Sequence, residues 1–378
     1  MQALHTHRTP GAHLRLMLAV AAAVYLPFVA WSWHEEAPTG DLVRIGAWSE
    51  RLYGWRTPQE PLAVRDNRAD KIGANAWVLG DSFSMGNVWQ SVWAERSAMR
   101  VYSQGYQGHA CVQAFVEEAL GTSQASVDQI VVQTIERHLL DRFASEPACP
   151  PAGPLAFEGP PGQTAHVRGA WVWQPGLASG LGFLQVWPLV DWRHLVRAQR
   201  QESRVQAQAQ AEGHHAGPPI SSGDTLNAPL SPGPAFSSRR ADRLLYYLGD
   251  DFKRTWTRDQ LQQAAARVAA LQAQVQAAGK HFTLLVVPDK STVYRPWMSE
   301  ASRIPEQPVL EIFRDAGVNI VFPVREMREA AAAITDFYLP DDTHLSPAGF
   351  AWLGRYMQQR LADQMRPPSG PTATRAAP

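Results

Sequence analysis

Cysteine is scarce in this chain. Two residues of 378, Cys111 and Cys149, are too few for a disulfide framework, and nothing around them has the spacing of a zinc site. They leave room for one disulfide in an oxidising compartment or for two buried thiols. Net charge is missing as well: Lys plus Arg and Asp plus Glu each number 35, so bulk electrostatics points to neither nucleic acid nor an anionic surface as a partner. The pair His214-His215 has no Cys or carboxylate cluster beside it and reads as solvated loop. No metal site and no cofactor is expected. Proline and glycine, by contrast, are abundant at 29 and 27, and they concentrate in the middle of the chain. There the composition reads as an irregular insertion at about 147–240, with a tryptophan-bearing patch over 167–192 and a polar low-complexity run over 199–234.

One long uncharged run stands near the start. Leu16 to Trp33 is close to the ~20 residues that cross a bilayer core. Arg8 and Arg15 precede it, and Glu35, Glu36 and Asp41 follow, so the positive-inside bias places residues 1–15 in the cytoplasm and everything after residue 34 outside. A cleaved signal peptide competes with this reading, as does a buried helix. The apolar stretch of a signal peptide spans about 7–15 residues, whereas this run is longer and ends in Trp31 and Trp33. The expectation is a single-pass signal anchor at 16–33 in the inner membrane and a periplasmic lead-in at 34–74. One folded domain is expected to follow at 75–366, and then a disordered tail at 367–378.

Beyond the lead-in the pattern alternates. An apolar strand at 75–80 stops abruptly at Gly80-Asp81-Ser82; a second strand at 99–108 ends in a glycine turn; a third at 129–135 runs into Glu136-Arg137-His138. After the insertion, Thr257 to Gln260 reads as a capping box opening a helix with Leu261, Ala265, Val268, Leu271 and Val275 on one face, closed by Gly279. Then come a strand at 282–287 ending at Pro288-Asp289-Lys290, a helix at 309–316, a strand at 319–322, and helices at 324–334 and 347–365. Strands alternating with helices predict an α/β fold with a mostly parallel sheet covered on both faces.

A serine on a strand-to-helix turn exposes its hydroxyl at the carboxyl edge of the sheet, where its amide can also meet an oxyanion. His344, just before the last helix, stands at the same edge and has the place a serine nucleophile needs for its general base. Asp81 reads as turn geometry beside the nucleophile.

Gly80-Asp81-Ser82, the glycine turn ending at Gly108, and Asp341-Asp342-Thr343-His344 resemble the first, second and last motif blocks of the SGNH (GDSL) hydrolase superfamily. More narrowly, "GDSFSMG", "VVQTIERHLL", "VVPDKSTVY" and "DTHLSPAGF" are similar to segments of the alginate O-acetyltransferase (AlgX/AlgJ) group, over residues 76–142 and 282–360. The resemblance implies a three-layer α/β/α sandwich. It also implies a Ser82-His344-Asp triad, an oxyanion hole from the amides of Ser82 and Gly108, and acetyl transfer to an exopolysaccharide, with a membrane-bound O-acyltransferase as the acetyl donor. Superfamily esterases place the orienting carboxylate three residues before the histidine, at Asp341; the acetyltransferase group places it two before, at Asp342. Thr343 and the run Ser346 to Gly349 favour the second.

Three features depart from the group. The serine precedes the Asp-x-His motif, as in ordinary SGNH esterases. The block-three Gly-x-Asn-Asp is missing, and Glu136-Arg137 stand at that strand end. No carbohydrate-binding module is expected after the last helix. Arg137 and Lys290, each at a strand end, are candidate contacts to substrate or oxyanion. A carbohydrate acetylesterase and a non-catalytic scaffold of a polysaccharide-export machine are the alternative readings.

Overall fold

The computed structural model describes residues 10–34, 39–65, 71, 73–97, 99–106, 111–121, 127–144, 167–171, 192–233 and 236–365. In chain order they form α1 (Pro10–His34), α2 (Asp41–Gly46), α3 (Glu50–Tyr53), β1 (Leu62–Arg65), β2 (Ala76–Gly80), α4 (Ser82–Met85), α5 (Val88–Glu95), β3 (Val101–Gly105), α6 (Val112–Gly121), β4 (Gln129–Ile135) and α7 (Leu139–Phe143). There follow β5 (Val167–Trp171), α8 (Trp192–Glu212), β6 (Ile220–Ser222), β7 (Thr225–Pro229), β8 (Arg243–Tyr247), α9 (Arg258–Ala277), β9 (His281–Val287), α10 (Lys290–Tyr294), α11 (Val309–Asp315), β10 (Ile320–Val321), α12 (Val324–Ala333) and α13 (Pro347–Met365).

Five strands in the order β10-β9-β4-β2-β3 make the central sheet, and every pairing is parallel. The strands read as continuous apolar runs because both faces are covered. Successive side chains point to opposite faces. Ala76 and Val78 of β2 therefore join Trp89 and Trp93 of α5 and Leu353 and Met357 of α13 on one side. Trp77 and Leu79 join Phe115 and Val116 of α6 and Leu261 and Val268 of α9 on the other. The result is the α/β/α layering with a parallel sheet that was expected. The capping box of α9 is present, with Thr257 accepting from the Gln260 amide, and Gly279 takes the left-handed φ of +72° just past the helix end.

The insertion differs from expectation. Its polar low-complexity run begins inside α8, rich in the helix formers Ala, Gln and Arg, which buries Leu195, Ala198 and Val205. A three-stranded antiparallel sheet, β6-β7-β8, follows. Its β6–β7 turn is made by Gly223, whose φ of +54° suits glycine. Composition alone hid both, because one apolar residue per turn or two is enough when the partner surface already exists. That partner is the lead-in: Leu42, Val43, Trp48 and Tyr53 form one cluster with Val205, Ile220 and Leu245. The Trp48 indole donates to Thr225 Oγ1 at 2.7 Å, and Asn227 Nδ2 donates to the Tyr53 hydroxyl at 2.8 Å. Of the tryptophan-bearing patch, β5, paired antiparallel with β1, and Trp192 at the start of α8 are described.

Helix α1 covers the expected membrane span in its backbone, and its described large apolar side chains, Leu14 to Leu26, are exposed. Among the described residues no helix is long and apolar enough to cross a membrane. The expected span at 16–33 runs beyond them, since the side chains of 27–34 lie outside the described set, as do residues 1–9 and the tail from 366. Cys111 is disulfide-bonded; Cys149 lies outside the described residues.

Candidate active site

β2 delivers the chain to Gly80, where a Cβ would sit 2.4 Å from Ser84 Oγ and 2.5 Å from Gln133 Oε1, so only glycine fits. Asp81 is buried and extended, and its carboxylate caps the turn from two sides. Oδ1 accepts from the Phe83 amide at 3.1 Å and from Gln133 Nε2 at 3.0 Å, and Oδ2 accepts from the Ile135 amide at 2.6 Å. Gln133 in turn accepts from the Asp81 amide at 3.1 Å and from Ser84 Oγ at 2.8 Å. Asp81 therefore builds the turn, as its position beside the serine implied. Ser82, first residue of α4, is left exposed, and no hydrogen-bond partner of its amide is found among the described residues.

The second half of the site is the loop between α12 and α13. His344 Nε2 lies 2.8 Å from Ser82 Oγ, and His344 Nδ1 lies 2.7 Å from Asp342 Oδ1. The same Oδ1 accepts from the His344 amide at 2.9 Å, and Oδ2 accepts from the Asp41 amide at 3.1 Å. Phe83 supports the imidazole with ring centroids 5.0 Å apart. Burial alone would push the His344 pKa down and the Asp342 pKa up. Their mutual hydrogen bond and charge outweigh it, so the histidine is raised above 6.5 and the aspartate is lowered below 3.8.

Asp341 does not face the histidine. It is fully buried, and among the described residues no donor reaches either of its carboxyl oxygens. Burial, then the neighbouring Glu50 carboxyl, push its pKa well above 3.8, which favours the protonated acid as donor towards Glu50. Glu50 itself accepts from the Thr39 amide at 3.0 Å and from Thr39 Oγ1 at 2.8 Å. The three-residue spacing is thus filled by a residue that ties the loop to the lead-in, not by one on the imidazole.

Lys290 also departs from its expected place. Its ammonium is buried and donates to the carbonyls of Leu339 at 2.7 Å, Pro340 at 3.0 Å and Asp342 at 3.0 Å, and burial pushes its pKa down to about 8. It fixes the histidine loop from below and presents nothing to a substrate. Arg137 is held by Asp289 at 2.8 Å and Asp250 at 3.3 Å, with its guanidinium over the Tyr247 ring. Glu136, where the superfamily pattern has a block-three motif, accepts from Lys253 Nζ at 3.0 Å and from the Asp289 amide at 3.0 Å. That strand end holds an internal ion network rather than an amide donor. Gly108 lies outside the described residues.

Sequence reasoning missed Asp41, Gln133, Lys253 and Asp250 as contributors. Asp41 is more than 300 positions from His344 with no motif around it, and Gln133 is one polar residue inside an apolar strand. Only its burial on a sheet next to the Asp81 turn gives Gln133 meaning.

A hydroxyl, an imidazole and a carboxylate in line can deprotonate the hydroxyl as it attacks a carbonyl and then return the proton to a leaving group. Residues 242–375 match the family model of the SGNH hydrolase-like domain of acetyltransferase AlgX. The matched segment carries the histidine loop and bears out the narrower resemblance there; Ser82 and strands β2 to β4 lie before it. No curated protein and no solved structure matches the chain.

Proposed function

We propose, from the premise that residues 242–375 match the model of the SGNH hydrolase-like domain of acetyltransferase AlgX, that the chain is an O-acetyltransferase acting on hydroxyls of an exopolysaccharide through an acyl-serine. The observation that carries this reading is the alignment of Ser82 Oγ, His344 and Asp342, with contacts of 2.8 and 2.7 Å.

In the proposed reaction Ser82 Oγ attacks the acetyl carbonyl carbon while His344 Nε2 takes its proton. The developing oxyanion is met by the Ser82 amide and, in this reading, by the amide of Gly108. The tetrahedral intermediate collapses, the donor's leaving oxygen takes the proton from His344, and an acetyl-serine remains. A sugar hydroxyl then gives its proton to His344 and attacks the acetyl carbon; the second tetrahedral intermediate breaks its bond to Ser82 Oγ, which takes the proton back from His344, and the acetylated glycan leaves. Asp342 holds the tautomer throughout and stabilises the imidazolium.

We further propose a setting for it: a single-pass anchor over 16–33, a periplasmic body, and a membrane-bound O-acyltransferase as acetyl source. What supports export is the charge bias about the apolar run together with the disulfide at Cys111, which needs an oxidising compartment.

A second reading, a carbohydrate acetylesterase, is favoured by one observation, the order of the motifs, with the serine preceding the histidine loop. The two readings part at the acceptor. Purified protein is given p-nitrophenyl acetate with and without acetyl-free oligosaccharides, and products are read by mass spectrometry. Acetylated oligosaccharide is expected; acetate release alone would make the chain an esterase. Ser82→Ala and His344→Ala are each expected to abolish turnover with folding intact, and Ser82→Ala activity above ~10% of wild type would remove Ser82 from the nucleophile's role, given the size of such losses.

A further inference from the structure

The lead-in reaches the site. Leu42 and Val43 at the start of α2 donate their amides to the Asp341 carbonyl at 3.1 and 3.3 Å. The Asp41 carboxylate accepts from the Thr343 amide at 2.8 Å and, on its other oxygen, from Thr343 Oγ1. That second oxygen lies 3.9 Å from His344 Nδ1. The imidazole therefore has two carboxylates on its Nδ1 edge, from opposite ends of the chain. One, Asp342, is hydrogen-bonded to it; the other stands just beyond hydrogen-bond reach.

We propose that Asp41 is a positioning residue of the active site, clamping the histidine loop through Thr343 and setting a second negative charge beside His344. This rests on the reading of His344 as general base. A second carboxylate at this range favours the imidazolium, so it strengthens the base that takes the Ser82 proton and stabilises the cation formed when it does. The opposing groups are few. Arg137, in the turn just past β4, lowers the His344 pKa, and Asp342 and Asp41 raise it. Lys290 of α10 is spent on backbone carbonyls of the loop, and Ser82 and Phe83 of α4 are neutral. Asp41 is itself raised, first by burial and then by the Asp342 charge, with Thr343 and His344 pulling it down. An aspartate that merely capped α2 would turn its carboxylate to that helix's own amides; this one turns it to Thr343.

Asp41→Asn separates charge from structure. The amide oxygen can still accept from the Thr343 amide and the amide NH2 can donate to Thr343 Oγ1, so both contacts survive and only the charge is lost. The readout is the pH dependence of His344 carbethoxylation by diethyl pyrocarbonate on the full chain, followed by mass spectrometry of the His344 peptide. This reagent modifies neutral imidazole and needs no catalysis. The midpoint is expected to fall by about one pH unit in Asp41→Asn and to return towards wild type in Asp41→Glu. The acid limb of p-nitrophenyl acetate turnover is expected to move with it. If Asp41→Asn yields no folded protein, Asp41→Ser reads the same midpoint. An unchanged midpoint in a folded, uncharged variant overturns the proposal and leaves Asp41 as a fold contact. A midpoint that moves while the acid limb stays put sustains the role of Asp41 and removes His344 from the role of base, so the two failures are distinguishable.

Discussion

At the residue scale, the two adjacent aspartates of the histidine loop have opposite tasks because they face opposite ways. Asp342 accepts from His344 Nδ1, so Asp342→Asn, which offers an amide donor or forces the other tautomer, is expected to lower turnover by about 10⁴-fold with little change in melting temperature. Steady-state kinetics beside thermal melts on the same samples check this. The raised His344 pKa also has a direction to test. The base works as free imidazole, so turnover is lost as pH falls through a midpoint above 6.5, and a pH–rate profile with its acid limb below 6.5 would contradict it. Asp341 is shifted in the direction opposite to Asp342. Its folded pKa is raised above 3.8, so the folded state holds its proton longer than the unfolded chain, and its contribution to stability is lost as pH rises from about 3.8 upward. Asp341→Asn, uncharged at every pH, is expected to melt progressively higher than wild type as pH is raised over that window, and to keep most of its turnover. A constant difference in melting temperature across pH would show that no proton is shared there.

At the element scale, the site depends on how closely α2 approaches the histidine loop. A Cβ on Gly40 would lie 2.1 Å from the Asp341 carbonyl oxygen, a distance no real Cβ adopts, although the Gly40 φ of −70° is open to any residue. The glycine is there for space, not for conformation. Gly40→Ala must push α2 off the loop, with an expected loss of about 1–3 kcal/mol, the usual cost of overpacking. A fall in turnover should accompany it, since Asp41 and its clamp on Thr343 move with α2. Denaturant melts and kinetics on the same variant test both halves, and unchanged turnover in a destabilised protein would detach the lead-in from the chemistry. Gly80 serves a similar purpose on the opposite side, where Ser84 and Gln133 crowd the turn that presents Ser82.

At the scale of the whole molecule, the site is assembled from three distant parts of the chain: Asp41 from the lead-in, Ser82 from the first strand-turn-helix unit, and Asp342 with His344 from the last loop. The lead-in is anchored in turn by the insertion, through Trp48 on Thr225 and Tyr53 on Asn227. The described part of the insertion thus buttresses the lead-in that carries Asp41. The proposed topology has its own outcome: a reporter enzyme fused after residue 40 is expected to be active only outside the cytoplasm, and a fusion active inside would refute export of the body.

The sequence by itself determined the alternating elements of the central domain, the capped start of α9, the serine turn and the histidine loop. Each is written in local pattern, in apolar period, capping residues or a contiguous motif, and local pattern survives without a partner. It also raised the choice between Asp341 and Asp342 without closing it, because both spacings are satisfied on one short loop. Only the tertiary structure decided that choice, by burying Asp341 against Glu50 and turning Asp342 to the imidazole. The same holds for Lys290, whose place at a strand end looked like a ligand's and whose ammonium is consumed by three backbone carbonyls. Asp41 and the folded insertion were hidden for one reason. Their roles come from contacts more than a hundred residues away in sequence, between segments whose own composition is polar or undistinguished, and no local period records such a contact.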